Sequence, residues 1–254
     1  MKNLKQLITI IALTLFVFES VNAQKKDFNA VGTYHNAILQ ELLPDLITYK
    51  RVHKTANMKF ELKRAVKEKI LNSSKFKGEF DKKQLENVIN SLPDYVFYAP
   101  EKRDLLREIQ NEIKISKKLS NLVTDAINFV NGTDDLNKID SYVKEHLASH
   151  LKLSGAEENA YHAFLSTLKS SSYFWSPNGK DGFKYFAQDF NDSKEKGGPC
   201  IDINIYKRPP LPFKGQGIVI DDALGALGGS IGGFIGALVW GSVMSMSTAL
   251  HMMQ

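Results

Sequence analysis

The run ALGGSIGGFIGALVWGSVMSMSTAL, Ala226 to Leu250, carries no charged residue. Gly225, Gly229 and Gly233 form one row spaced by four, continued by Ala237 and Gly241, and Gly228, Gly232 and Gly236 form a second. On a helix these rows make a broad face of small residues, with Leu224, Leu227, Ile231, Ile235, Leu238 and Val239 as bulk, the pattern of a glycine zipper in which helices approach closely. Seven glycines lie between Ala223 and Leu250, so a lone helix in water is disfavoured by on the order of 7 kcal/mol relative to alanine. As one helix, this stretch is roughly 42 Å long against a hydrocarbon core of ~30 Å, which suits a tilted or bent crossing. A hairpin of two shorter helices is the other geometry, but no Pro or Asn-Gly marks a turn. Three environments follow: a membrane, the core of a bundle that keeps the segment covered until a target membrane is met, or a disordered tail. Membrane association or helix–helix assembly is the expected role, with lipid or a second copy of the segment as partner.

The other end reads as an export signal. Lys2 and Lys5 precede the apolar stretch Leu7 to Phe18, and Val21-Asn22-Ala23 offers a small-residue cleavage site. Cleavage there would leave Gln24 first, with no cysteine for lipid attachment. The expected location is the cell envelope, periplasm or outer surface, or the medium. One cysteine, Cys200, excludes an internal disulfide, so the exported fold must rest on its hydrophobic core. Residues 24–214 carry 31 basic and 25 acidic side chains, a net +6. The lysines alternate with acids and no basic stripe is interleaved with aromatics, so nucleic acid is not an expected partner.

Between these ends the periodicity is helical. Val31, His35, Ile38 and Leu42, with Leu39, Leu43 and Leu46, step by three and four, and Pro44 is expected to bend or interrupt that helix. Met58 to Leu71 predicts a second helix with Phe60, Ala65, Val66 and Ile70 inward. Asp81 is placed to cap a helix ending before Pro93. Glu101 to Val130 reads as one long element, closed by Asn131-Gly132. Asp134 or Asp135 opens the next helix, and Ser154 with Glu157 has capping-box spacing for another through Leu168. The expected fold is mostly α: a helical bundle over 24–192, a Pro/Gly-rich connector over 193–220 with at most one strand (Ile201 to Tyr206), and the apolar glycine-zipper helix over 221–254.

Chemistry-bearing patterns are sparse. His146 and His150, four apart, are the one histidine pair with helical metal-ligand spacing, and no glutamate between them completes a metalloprotease motif. The acids are spread among lysines on helix faces, and no phosphate loop is present; Gly228-Gly229-Ser230-Ile231-Gly232 matches G-x-S-x-G by letters alone, because it lies inside the glycine run read as a helix and not at a strand-to-helix turn. No enzyme activity, cofactor or small-molecule substrate is expected.

Two short motifs ask for a specific neighbour. In NAVGTYHN, Asn29 to Asn36, Asn29 suits a helix cap, while Gly32 inside the first turns costs about 1 kcal/mol unless something approaches it closely. His35 or Asn36 is expected to satisfy a buried polar partner. In SSSYFW, Ser170 to Trp175, the aromatics predict a plug, with Trp175 or Tyr173 near the Gly32 surface. Together with Ser171 and the run Asp222 to Gly229, these motifs resemble an uncharacterised group of secreted and lipoprotein-type proteins of Bacteroidota. That resemblance implies export and structural roles for Asn29, Gly32, His35, Asn36, Ser171 and Trp175, without a particular activity; the tail alone resembles bacteriocin-like proteins. The alternatives kept open are a secreted membrane-inserting toxin and a histidine-based metal-binding protein or hydrolase.

Overall fold

The computed structural model describes residues 27–53, 58–73, 80–98, 104–149, 151–176 and 214–252. They form an α-helical bundle: α1 (Val31–His53), α2 (Met58–Asn72), α3 (Lys82–Asn90), α4 (Leu105–Ile113), α5 (Lys117–Asn131), α6 (Leu136–Ala148), α7 (Gly155–Trp175), α8 (Lys214–Gly229) and α9 (Gly233–Met252). Single 3-10 turns occupy Phe28–Ala30, Asp94–Phe97 and Ser230–Gly232, and no strand occurs among the described residues. The N-terminal export signal, the segment Ile201 to Tyr206 and Cys200 lie outside them. The helix α8 begins inside the span expected as connector.

Local chemistry sets the helix starts. The carboxylates of Asp81, Asp104 and Asp135 accept from backbone N–H groups two or three residues on, satisfying donors that the first turn leaves open. Ser154 and Glu157 close the reciprocal box that starts α7, and Glu157 also accepts from the Ser116 N–H at 2.9 Å, tying α7 to the start of α5. That second start corrects the expectation of one element over Glu101 to Val130. The chain turns at Lys114, in the left-handed region with φ 46°, and restarts at Ser116, whose hydroxyl accepts from the Leu119 N–H. α7 outruns its expected end and places Trp175 in its last helical position.

Two further expectations are corrected. Pro44 does not interrupt α1, because its ring lies on the exposed side while Leu39, Leu42, Leu43 and Ile47 are buried and hold both halves of the helix to the core. Phe60 does not face inward but is 57% exposed; Leu62, Val66 and Ile70, spaced by four, form the buried stripe of α2 instead.

The glycine segment is a helical hairpin, not one long helix. α8 and α9 run antiparallel and are packed on each other along their length: Asp221 meets Thr248, Gly225 meets Trp240 and Met244, and Gly229 meets Gly236. The reversal is built by Ser230–Gly232 and by Gly233, whose φ of +69° and ψ of −158° suit a residue without a side chain. At the Gly229/Gly236 crossing an added Cβ on either residue would fall on the other's carbonyl oxygen, so the backbones touch with only hydrogens between them.

The bundle wraps this hairpin. α7, α4 and α5 pack on α8, while α1, α2, α3 and the Asp94–Phe97 turn pack on α9; α6 lies outside, on α7. Every residue from Phe234 to Leu250 is buried, as expected of a helix apolar all round. The outer helices are amphipathic, with Leu85, Val88 and Ile89 of α3, and Leu119, Val123, Ala126 and Val130 of α5, turned inward.

Gly229→Ala should lower the free energy of urea unfolding by at least about 2 kcal/mol, because the methyl group meets backbone that cannot move aside locally. Gly155→Ala, in the first turn of α7 with open space around the new methyl, should be neutral or stabilise by up to about 1 kcal/mol. Equal stabilities for the two variants would show that the crossing does not hold the hairpin.

Candidate functional site

The three sequence motifs meet at one polar cluster whose centre, His35, Ser171 and Asp222, is fully buried. α1 supplies the first. The Gly32 N–H donates to Ser166 Oγ at 3.0 Å, and that hydroxyl donates on to the Asn29 carbonyl at 2.5 Å. One turn later Asn36 Nδ2 donates to the Ser170 carbonyl at 2.7 Å. Gly32 and Asn36 are four apart, as are Ser166 and Ser170, so α1 and α7 run parallel here with matching turns in contact. A Cβ on Gly32 would collide with the Ser166 carbonyl; the missing side chain is what lets the helices close.

This contact delivers His35, with no exposed surface, to the centre. Its Nδ1 lies 3.0 Å from Asn36 Oδ1. Because the Asn36 amide nitrogen is already committed to Ser170, Oδ1 is the acceptor and Nδ1 carries the hydrogen. Nε2 then faces Asp222 Oδ2 at 3.6 Å, with the Gly241 backbone of α9 beside the ring. Asp222, on α8 and also without exposed surface, accepts from Ser171 Oγ in a short hydrogen bond and from Trp175 Nε1 at 3.1 Å. Its other oxygen has no hydrogen-bond partner, and the Ser245 hydroxyl of α9 approaches the carboxyl without reaching bonding geometry. α1, α7, α8 and α9 all contribute.

Burial dominates the electrostatics. Loss of water lowers the His35 imidazole to about 4, against smaller opposing effects of Asn36 and the Gly241 backbone. Loss of water also raises the Asp222 carboxyl well above its usual range, opposed by the donors of Ser171, Ser245 and Trp175 and reinforced by Asp221. Both shifts favour the uncharged forms, a neutral imidazole and a carboxylic acid, and a protonated carboxyl has a donor to offer Ser245.

The cluster contains Ser, His and Asp but is not a nucleophilic triad. The Ser171 hydroxyl is spent on the carboxyl and not on the imidazole, and no part of the three side chains is exposed to a substrate. Its geometry suits holding helices together. Asn29 remains exposed, with its carbonyl used at the hub and its N–H donating to the capping Asp27 side chain. Tyr173 is 39% exposed and stands away from this centre; Trp175 is the aromatic that enters it.

The other candidates fall elsewhere. His146 stacks on Tyr142 with centroids 4.0 Å apart and uses Nδ1 on the Tyr142 carbonyl at 2.9 Å. His150 lies outside the described residues, among which no group of three potential metal ligands occurs. Gly225, Gly228, Gly229, Gly236 and Gly241 pack between α8 and α9, whereas Gly232 and Gly233 form the exposed turn. In the sequence Asp222 stood out only as the start of the run to Gly229, and not as the hub; the available signal was an acid directly preceding a long uncharged run. Comparison with family profiles, with curated proteins and with solved structures finds no match.

Stability as a function of pH tests the preference of His35 and Asp222 for their uncharged forms. His35 alone contributes stability that is present above 6.5 and lost as pH falls to about 4. Asp222 alone contributes stability that is present below 3.8 and lost as pH rises toward its raised folded value. Together they oppose one another between about 4 and 6.5. Relative to wild type, Asp222→Asn should therefore lose up to about 3 kcal/mol between pH 6.5 and 4.5, and His35→Gln should lose stability as pH rises. Urea unfolding at pH 4.5, 6 and 8 decides it, and a variant profile parallel to wild type would count against the uncharged pair.

Proposed function

We propose that this is an exported, non-enzymatic protein of the cell envelope, whose glycine hairpin is a membrane-associating element carried in a water-compatible sheath. One observation carries the reading. Gln216–Met252 has the length and composition of a membrane-crossing segment although it is folded back as α8 and α9, and most of it is buried inside the protein. In the closed form only Ile231 and Met252 of this segment are exposed large apolar residues. Association with lipid therefore requires the hairpin to leave the bundle, and the amphipathic outer helices keep the closed form soluble.

A second reading keeps the hairpin as a permanent core, so that the glycine zipper assembles helices within one chain. The complete burial of Phe234 to Leu250 favours it. A bacteriocin-like toxin would share the mechanism of release and differ in its target, another cell's membrane.

Deleting the hairpin removes the centre of the core, so a reversible lock is the better test. A Cβ on Gly232 would sit 3.5 Å from Val88 Cγ2, close enough for a disulfide from Gly232→Cys and Val88→Cys in a Cys200→Ser background. The chain from Gln24 should float with vesicles of phosphatidylglycerol and phosphatidylethanolamine when the lock is reduced, and lose at least tenfold of that binding when oxidised. Equal flotation in both states, or none in either, would overturn the membrane reading and leave the permanent core. Dye release from the same vesicles would single out the toxin.

A further inference from the structure

Polar attachment is distributed unevenly along the hairpin. At its base, Gln216 Nε2 donates to the Val130 and Thr133 carbonyls at 3.2 and 3.4 Å, just where α5 ends. Asp222 is held by Ser171 and Trp175 and faced by His35. Across the base, Thr248 Oγ1 of α9 donates to Asp221 Oδ2 of α8 at 2.7 Å. From Ala223 to Val239 the sole polar side chain is Ser230, and it donates to the Leu227 carbonyl within the hairpin at 2.6 Å.

The tip is held by other means. Phe234 lies among Phe28, Tyr34 and Phe80, with ring centroids 5.6 to 6.4 Å away. Gly228 rests against Ile109 and Trp240. At the turn itself Ile231 is 62% exposed and Gly232 is exposed. Apolar contacts of this kind are non-directional and tolerate sliding, whereas the bonds of a buried carboxyl are lost all at once if it moves.

We infer that the hairpin is latched at its base and opens from its tip: Asp222 and Gln216 keep residues 216–222 docked while the turn and the glycine-rich parts of α8 and α9 detach together. The inference rests on the reading that the hairpin leaves the bundle, and it adds the order in which it does so. Six of the seven glycines counted from Ala223 to Leu250 lie between Gly225 and Gly236. Glycine is among the poorest helix formers, so the detached part does not stay helical in water and its amides become exchangeable. The element that first reaches a membrane is then the Ile231 turn, with the base still tied to the body.

The order is read without lipid, by hydrogen exchange and mass spectrometry on the chain from Gln24. Amides of 224–238 should exchange at least tenfold faster than those of 216–222 and 241–250. The oxidised Gly232→Cys/Val88→Cys lock should bring the tip to the rate of the base, and reduction should restore the difference. Asp222→Asn should raise the rate of the base toward that of the tip. One common rate across the hairpin, or a base that exchanges first, overturns the order; a base unaffected by Asp222→Asn overturns the latch. Tip opening without vesicle binding would leave this inference standing and remove the membrane reading, and vesicle binding with uniform exchange would do the reverse.

Discussion

At the Gly229/Gly236 crossing the two apolar helices approach until their backbones touch, and the layout of the bundle depends on this. Any larger side chain at the crossing would push α8 and α9 apart and thicken the hairpin. Kept thin, it fits between α7, α4 and α5 on one side and α1, α2 and α3 on the other. Amphipathic helices of nine to twenty-three residues can then cover it. The glycines that make α8 a poor helix in water are tolerated because its neighbours exclude water and leave its backbone groups no alternative to bonding within the helix.

A surface of glycine and alanine packs closely but has little relief, so neighbouring registers differ little in energy. The Asp222 hub removes that degeneracy. A carboxyl buried without surface is costly, and here it is held by donors from Ser171 and Trp175 with an imidazole opposite. Sliding the hairpin by one turn would strand these groups without water. The same cluster fixes α1 against α7 through Gly32 with Ser166 and Asn36 with Ser170. Close packing by glycine and register from one acid are complementary: the first gives proximity without direction, the second direction at a single point.

Much of the helix pattern was legible because its determinants are local. Asp81, Asp135 and the Ser154–Glu157 box act within one turn of chain, and the structure uses each as spacing implied. The break at Lys114 was readable in hindsight, since Ser116 three residues before Leu119 is itself a cap. Phe60 misled because a large aromatic beside a helical stripe reads as core, while Leu62, Val66 and Ile70 already fill the buried face of α2. The turn of the hairpin was hidden by its composition: Gly228-Gly229-Ser230-Ile231-Gly232-Gly233 fits both a zipper row and a reversal, and the positive φ of Gly233 distinguishes them only in three dimensions.

The sequence by itself determined an α-helical chain, the positions of most caps, and an apolar glycine-rich segment unable to stand alone in water. It also singled out Gly32, His35 or Asn36, and Trp175 or Tyr173 as residues needing specific neighbours, because a glycine in a helix and polar groups on apolar faces carry a cost visible locally. Tertiary structure decided who those neighbours are. Asp222 is separated from Ser171 by 51 positions and Gly32 from Ser166 by 134, and no periodicity reaches across such distances. It also decided that the zipper folds back on itself as a hairpin inside the bundle, because the reversal depends on the backbone of Ser230–Gly232 and the positive φ of Gly233, which the spacing of the glycines does not reveal.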